Sequence, residues 1–186
     1  MKAQEAIEKI QHSLHAAYTF AVDRCSEPAD VLALKLHCEG AWTILEHLEH
    51  IYLASSFLLL TLEKSVAKAL KRAQLRDYSK EVGELDALDE ISQPRLFEWH
   101  PPQHMIPRNS LSAAEIQEKL QDQEQHLLRL LAKVADGQGN LCKVRMSVRD
   151  LGHLNVYQWA YFLTQHAKHH VNYIALILQK SNNLEG

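Results

Sequence analysis

The sequence predicts an all-α fold, a four-helix bundle, on three observations. Apolar residues recur at spacings of three and four over long stretches. Only 6 Gly and 5 Pro punctuate 186 residues, so few breaks interrupt those stretches. Two segments, opening at Ser112 and Asn155, carry sharp helix-start signals ahead of runs long enough for a bundle helix. A chain of this length fits a single domain over residues 1–186 and can bury a core without disulfide or metal staples.

The first helix is expected over about residues 2–24, where Ala3, Ile7, Ile10, Leu14, Ala17 and Ala21 form one stripe. Ser26-Glu27-Pro28 ends it, and a short helix between Pro28 and Leu36 is expected before Gly40 breaks the chain. The second long helix is expected over about residues 41–72. It carries two stripes: Ala41, Leu45, Leu48, Tyr52, Leu59, Leu62 and Val66, and then Ile44, Ile51, Ala54, Phe57 and Leu58. A helix apolar on two sides is either central or faces a second copy of the chain, so a homodimer is expected. Residues 73–111 form a long connection containing His100-Pro101-Pro102, of the kind a bundle with one long crossover requires between its second and third helices. The third helix has a capping box, Ser112-Ala113-Ala114-Glu115, with Leu111 and Ile116 placed as a hydrophobic staple. Its stripe is Ile116, Leu120, Gln123, Leu127, Leu130 and Val134, and Gly137 is expected to end it. Residues 138–154 are expected to be irregular, and the fourth helix to run from Asn155, with Gln158 completing the cap, to about Lys180.

Charge and cysteine usage exclude several classes. The formal net charge of −3 argues against a nucleic-acid partner. The densest basic stretch, Lys64, Lys68, Lys71, Arg72 and Arg76, sits where cations complement a helix C-terminus. Cys25, Cys38 and Cys142 form no CxxC pair and suggest no disulfide framework, so a reducing cytoplasm is the expected location. The first residues lack the apolar core of a signal peptide, and the most apolar run, 51–62, is too short to span a bilayer, so no membrane partner is expected.

The fourth helix places Trp159, Phe162, Leu163, His166, His170, Ile174 and Ile177 on one stripe. Histidines four apart on a helix are neighbours, and two neutral imidazoles so placed can converge on one divalent ion. With 12 His in the chain, about one such pair arises by chance, and His100/His104 is a second example. That second pair straddles two prolines, which excludes a helical interior. The location of His166 and His170 on an apolar stripe is what distinguishes them, because buried polar groups need partners. The rival reading is two core histidines bonded to Tyr, Glu or water. Helix two offers Glu46, His47, Glu49 and His50 as further groups, and periodicity alone leaves open which of them turn inward.

The segment Ala41-Trp42-Thr43-Ile44-Leu45-Glu46-His47-Leu48-Glu49-His50 resembles the tryptophan-to-histidine segment of the DinB-like (damage-inducible) metal-binding bundle proteins. His166-Ala167-Lys168-His169-His170-Val171-Asn172-Tyr173-Ile174 resembles the closing HxxxH helix of that family. The resemblance implies an up-down-down-up bundle holding Zn or Ni on three histidines. One lies eight residues after the Trp, and the other two form the HxxxH pair: His50, His166 and His170. It selects His50 over His47 and gives His169 no role, placing it at the surface or behind the ligands. The 73–111 connection, with His100 and His104, has no counterpart in the family pattern.

Three protein ligands leave a coordination position open, as in catalytic rather than structural zinc sites. The resemblance therefore implies a metal-dependent enzyme on a small molecule, a thiol S-transferase acting with a low-molecular-weight thiol or a hydrolase. Glu46, Glu49 and His47 are the candidate catalytic groups. The alternative is a non-catalytic dimeric bundle, a binding or stress-response module whose metal is structural or vestigial. A di-iron carboxylate bundle is set aside, because the chain contains no Glu-x-x-His.

Overall fold

In a computed structural model describing residues 1–94, 96, 101–146, 148 and 151–183, the chain is mostly helical, with one small antiparallel sheet. His100 lies outside the described residues. Helix α1 (Ala3–Arg24) buries Ala3, Ile7, Ile10, Leu14, Ala17 and Ala21, the expected stripe. Its start is tied down: the Glu5 carboxylate accepts from Lys2 N–H, and the Ala3 N–H donates to the Lys80 carbonyl. The short helix α2 is a single turn (Ala29–Leu32), shorter than expected.

Helix α3 spans Ile44–Ala73 and starts three residues later than Ala41. Thr43 is the N-cap. Its hydroxyl accepts from Glu46 N–H while the Glu46 carboxylate accepts from Thr43 N–H. Thr43 is itself extended and forms an isolated antiparallel bridge with Lys35. Trp42 therefore stands ahead of the helix rather than inside it. Both apolar stripes of α3 are largely covered within one chain. Leu48, Leu59, Leu62 and Val66 are buried, as are Ile44, Ile51, Ala54 and Leu58, whereas Phe57 is 44% exposed. Of the basic stretch, Arg72 donates to the Leu141 carbonyl.

The long connection is not featureless. A 3₁₀ turn (Asp86–Ser92) presses Leu88 and Ile91 into the core, and a second turn (Gln103–Met105) lies over α3. Helix α4 (Ala113–Ala132) begins with the expected Ser112–Glu115 capping box but ends at Lys133, a turn before Gly137. Gly137, at φ +107°, instead initiates a 3₁₀ turn (Gln138–Leu141). A side chain there would strike the Ser79 carbonyl oxygen and lie 2.8 Å from Lys80 Cα.

The segment expected to be irregular folds as a hairpin. β1 (Lys143–Met146) pairs antiparallel with β2 (Gly152–Asn155), Val144 opposite Leu154 and Met146 opposite Gly152. This is the departure from an all-helical reading. With four-residue strands, the alternation was too brief to stand out against a helical background. Asn155 then caps α5 (Val156–Asn182), accepting from Gln158 N–H as expected.

The four long helices form a ring of contacts: α1 with α4, α4 with α3, α3 with α5, and α5 with α1. Hydrogen bonds give relative directions. Gln117 reaches the Val22 carbonyl and His15 meets Glu124, so α1 and α4 run oppositely. Gln123 of α4 bonds Ser56 and the Tyr52 carbonyl of α3, while Trp159 of α5 donates to the Leu58 carbonyl. Helix α5 is the most enclosed: from Val156 to Val171 every residue except Gln158 and Lys168 is buried. Among the described residues, no helix is long and apolar enough to cross a membrane.

Candidate metal centre

The site forms where α3 and α5 cross antiparallel. Trp159 is paired with Leu58, His166 with His50, and His170 with His47, so rising numbers on one helix meet falling numbers on the other. Each helix contributes two histidines about one turn apart, which places both on the facing side. All four are buried: His47 is 7%, His50 3%, His166 7% and His170 5% exposed.

His50, His166 and His170 each offer a ring nitrogen, and the three atoms lie within 4.8 Å of one another. The His50 Nε2 to His166 Nε2 distance is 3.4 Å. Two nitrogens each ~2.0–2.1 Å from a tetrahedral ion stand roughly 3.3–3.4 Å apart, so this pair already has the required separation. His50 Nδ1 lies 2.7 Å from the Met105 carbonyl and so carries the proton, which leaves the Nε2 lone pair for a ligand role. His170 Nε2 is buried with no hydrogen-bond partner among the described residues. A buried orphan nitrogen beside two converging imidazoles fits a divalent cation, and an all-imidazole donor set suits a first-row transition metal.

Burial dominates the electrostatics. It pushes His47 down to about 3, with further lowering from His50 and His169. It pushes His50 down to about 4 despite the opposing hydrogen bond to the Met105 carbonyl. His166 and His170 fall well below the ordinary histidine value for the same reason, with their neighbours' repulsion added. The cluster is therefore neutral near pH 7, the state in which imidazole lone pairs bind metals.

Aromatic rings frame the cluster. Trp42 lies 4.7 Å from His50 and stacks at 6.0 Å on His170, and Tyr173 stacks at 5.5 Å on His47. The histidines open on a cavity of about 820 Å³, walled by Trp42, Phe57, Leu58, Met105, Met146 and Phe162. Its rim comes from the segment before α3, the turn at Gln103–Met105, and the hairpin.

The structure gives the other sequence candidates distinct places. Glu46 is half-buried and engaged in the α3 cap, with Oε1 also 3.4 Å from Asn109 Nδ2. Glu49 is fully buried and grips the loop: Oε2 accepts from Arg108 and Asn109 N–H, Oε1 from Ser110 N–H and Oγ–H. Burial works to raise its pKa, but the Ser110 hydroxyl and these N–H groups outweigh it and hold the carboxyl below its ordinary value. His47 is the candidate that reaches the cluster, 3.0 Å from His170 Nδ1 to Nδ1. His169, expected at the surface or behind the ligands, is buried, its Nδ1 on the Gln93 carbonyl, and it lines the same cavity as the triad. His104 lies away from the triad, 5.2 Å ring to ring from Phe57. Sequence reasoning missed the Met105 carbonyl and the Glu49 clamp, because a backbone oxygen and a loop anchor leave no spacing pattern.

A family model described as the DinB superfamily matches residues 13–174, most of the chain. No curated protein and no solved structure shows a significant match.

Proposed function

The chain belongs to the DinB superfamily, and from that premise we propose a metal-dependent enzyme built as an up-down-down-up four-helix bundle. In this reading His50, His166 and His170 hold one Zn or Ni ion, and a small molecule enters the cavity beside them. The observation that carries the proposal is the convergence of three buried, neutral imidazoles on one cavity wall. A divalent ion held by three imidazoles supplies Lewis-acid chemistry that activates a thiol or a water at neutral pH. The chain's own residues supply the rest. Met105 and Trp42 orient His50, and the walls at Phe57, Phe162 and Met146 take an apolar substrate body and exclude water. Transfer of a low-molecular-weight thiol, or hydrolysis, is the reaction class this arrangement suits. We propose also that it works in a reducing cytoplasm, consistent with three free cysteines, and as a homodimer.

One observation favours a second reading, a non-catalytic binding or stress-response module that uses the metal for stability. The two carboxylates that neighbour His47 and His50 on α3 are committed elsewhere, Glu46 to a helix cap and Glu49 to the loop, so neither stands ready as a base. Elemental analysis of untagged protein tests the shared premise. About one divalent ion per chain is expected, and the His170→Ala variant should lose most of it. A metal-free wild type after supplementation with Zn or Ni would remove both readings. Turnover of electrophiles with a panel of small thiols then separates them.

A further inference from the structure

His47 Nδ1 and His170 Nδ1 stand 3.0 Å apart, so one ring donates a proton and the other accepts it. Each ring is buried, and an imidazole in the uncharged form that binds metals has one N–H and one lone pair. If His47 were the donor, the His170 proton would sit on Nε2, a buried atom with no acceptor among the described residues. Burying an N–H without an acceptor is costly, and such orphan donors are rarer than orphan acceptors. If His170 is the donor, its Nε2 is a lone pair and no proton is stranded.

We infer that His47 is a positioning residue. It accepts the Nδ1–H of His170 and so holds that ring in the tautomer whose Nε2 lone pair is left for a cation. His47 thereby does for His170 what the Met105 carbonyl does for His50. It is itself locked in place, stacked on Tyr173 at 5.5 Å and edge-on to Trp42 at 5.7 Å. The donated proton leaves His47 with its own N–H on Nε2, and His47 forms part of the cavity wall. Its value for metal binding rests on the proposal above, whereas the tautomer itself does not.

Two measurements test it. Long-range ¹H–¹⁵N spectra of metal-free wild-type protein should place the His170 proton on Nδ1, and a proton on Nε2 overturns the inference. Zinc affinity, read by competition with a chromophoric chelator, should fall about 10–100-fold in His47→Leu, the usual cost of losing a partner behind a ligand. His47→Asn, whose side-chain oxygen stands close to the lost Nδ1, should recover most of that affinity. Equal losses in both variants, or none in His47→Leu, overturn it. If wild-type protein binds no zinc at all, the metal proposal fails, and the spectra still decide the tautomer.

Discussion

Replacing Glu49 with Gln tests the clamp that holds the loop of Arg108, Asn109 and Ser110 against α3. The native carboxylate accepts four hydrogen bonds, at 3.0 Å from Arg108 N, 2.8 Å from Asn109 N, 3.1 Å from Ser110 N and 2.7 Å from Ser110 Oγ. A carboxamide has one oxygen acceptor and one donor group. Its better orientation keeps Arg108 and Asn109 on the oxygen and turns the amide toward Ser110, whose hydroxyl can accept instead of donate. Only the Ser110 N–H is then stranded. The cost is that of one buried unsatisfied donor plus the loss of charge assistance, about 2 kcal/mol. For a chain of this size that lowers Tm by roughly 4–8 °C. Glu49→Ala strands all three N–H groups and should cost about 3–5 kcal/mol, limited by the loop opening to water. The pH dependence has a definite sign. The folded-state pKa of Glu49 is depressed, so its contribution is complete above the unfolded carboxylate value of ~4.3 and is lost as pH falls through the folded value. The gap between wild type and Glu49→Gln in urea unfolding should be full at pH 7 and close on acidification. Equal stability of the two proteins at pH 7, or a gap that widens in acid, would refute the clamp.

Other perturbations have outcomes as definite. Gly137→Ala, at φ +107° and against the Ser79–Lys80 backbone, should cost more than about 2 kcal/mol in urea unfolding. Gly40→Ala, at φ +71° with open space around it, should cost only about 1 kcal/mol, and a reversal of that order would contradict the packing described here. A thiol alkylating reagent should modify exposed Cys38 quickly in native protein. Cys25, buried with its thiol pushed up to about 12, and buried Cys142 should stay protected until denaturant is added. Intact mass spectrometry reads the adducts, and a second native adduct forming at the rate of the first would count against the buried placement.

The helices were legible because their signals are local. Ser112 with Glu115 and Asn155 with Gln158 cap where the sequence places them, and the α1 stripe is buried residue for residue. The HxxxH pair on an apolar stripe pointed inward as its periodicity implies. Helix α3 was harder. Its two stripes left the rotation of His47 and His50 open, and only packing against α5 shows that both face inward. Its N-terminus was misplaced because Ala41 and Leu45 continue the stripe, while the Thr43–Glu46 cap overrides it. The hairpin and the turns of the long connection escaped notice because strands and 3₁₀ turns this short carry too few residues for a period. The role of Glu49 depends on three backbone N–H groups some sixty residues away, which no local pattern records.

The four facing histidines ride on two rigid rods, while much of the chamber's rim comes from ordinary connecting segments: the stretch before α3, the turn at Gln103–Met105 and the hairpin. Connecting segments tolerate insertion and replacement far better than packed helices do. Descendants of this chain can thus exchange the shape of the vestibule without disturbing the imidazoles. A designer could likewise graft new rim loops onto the same pair of rods to change which guest is admitted.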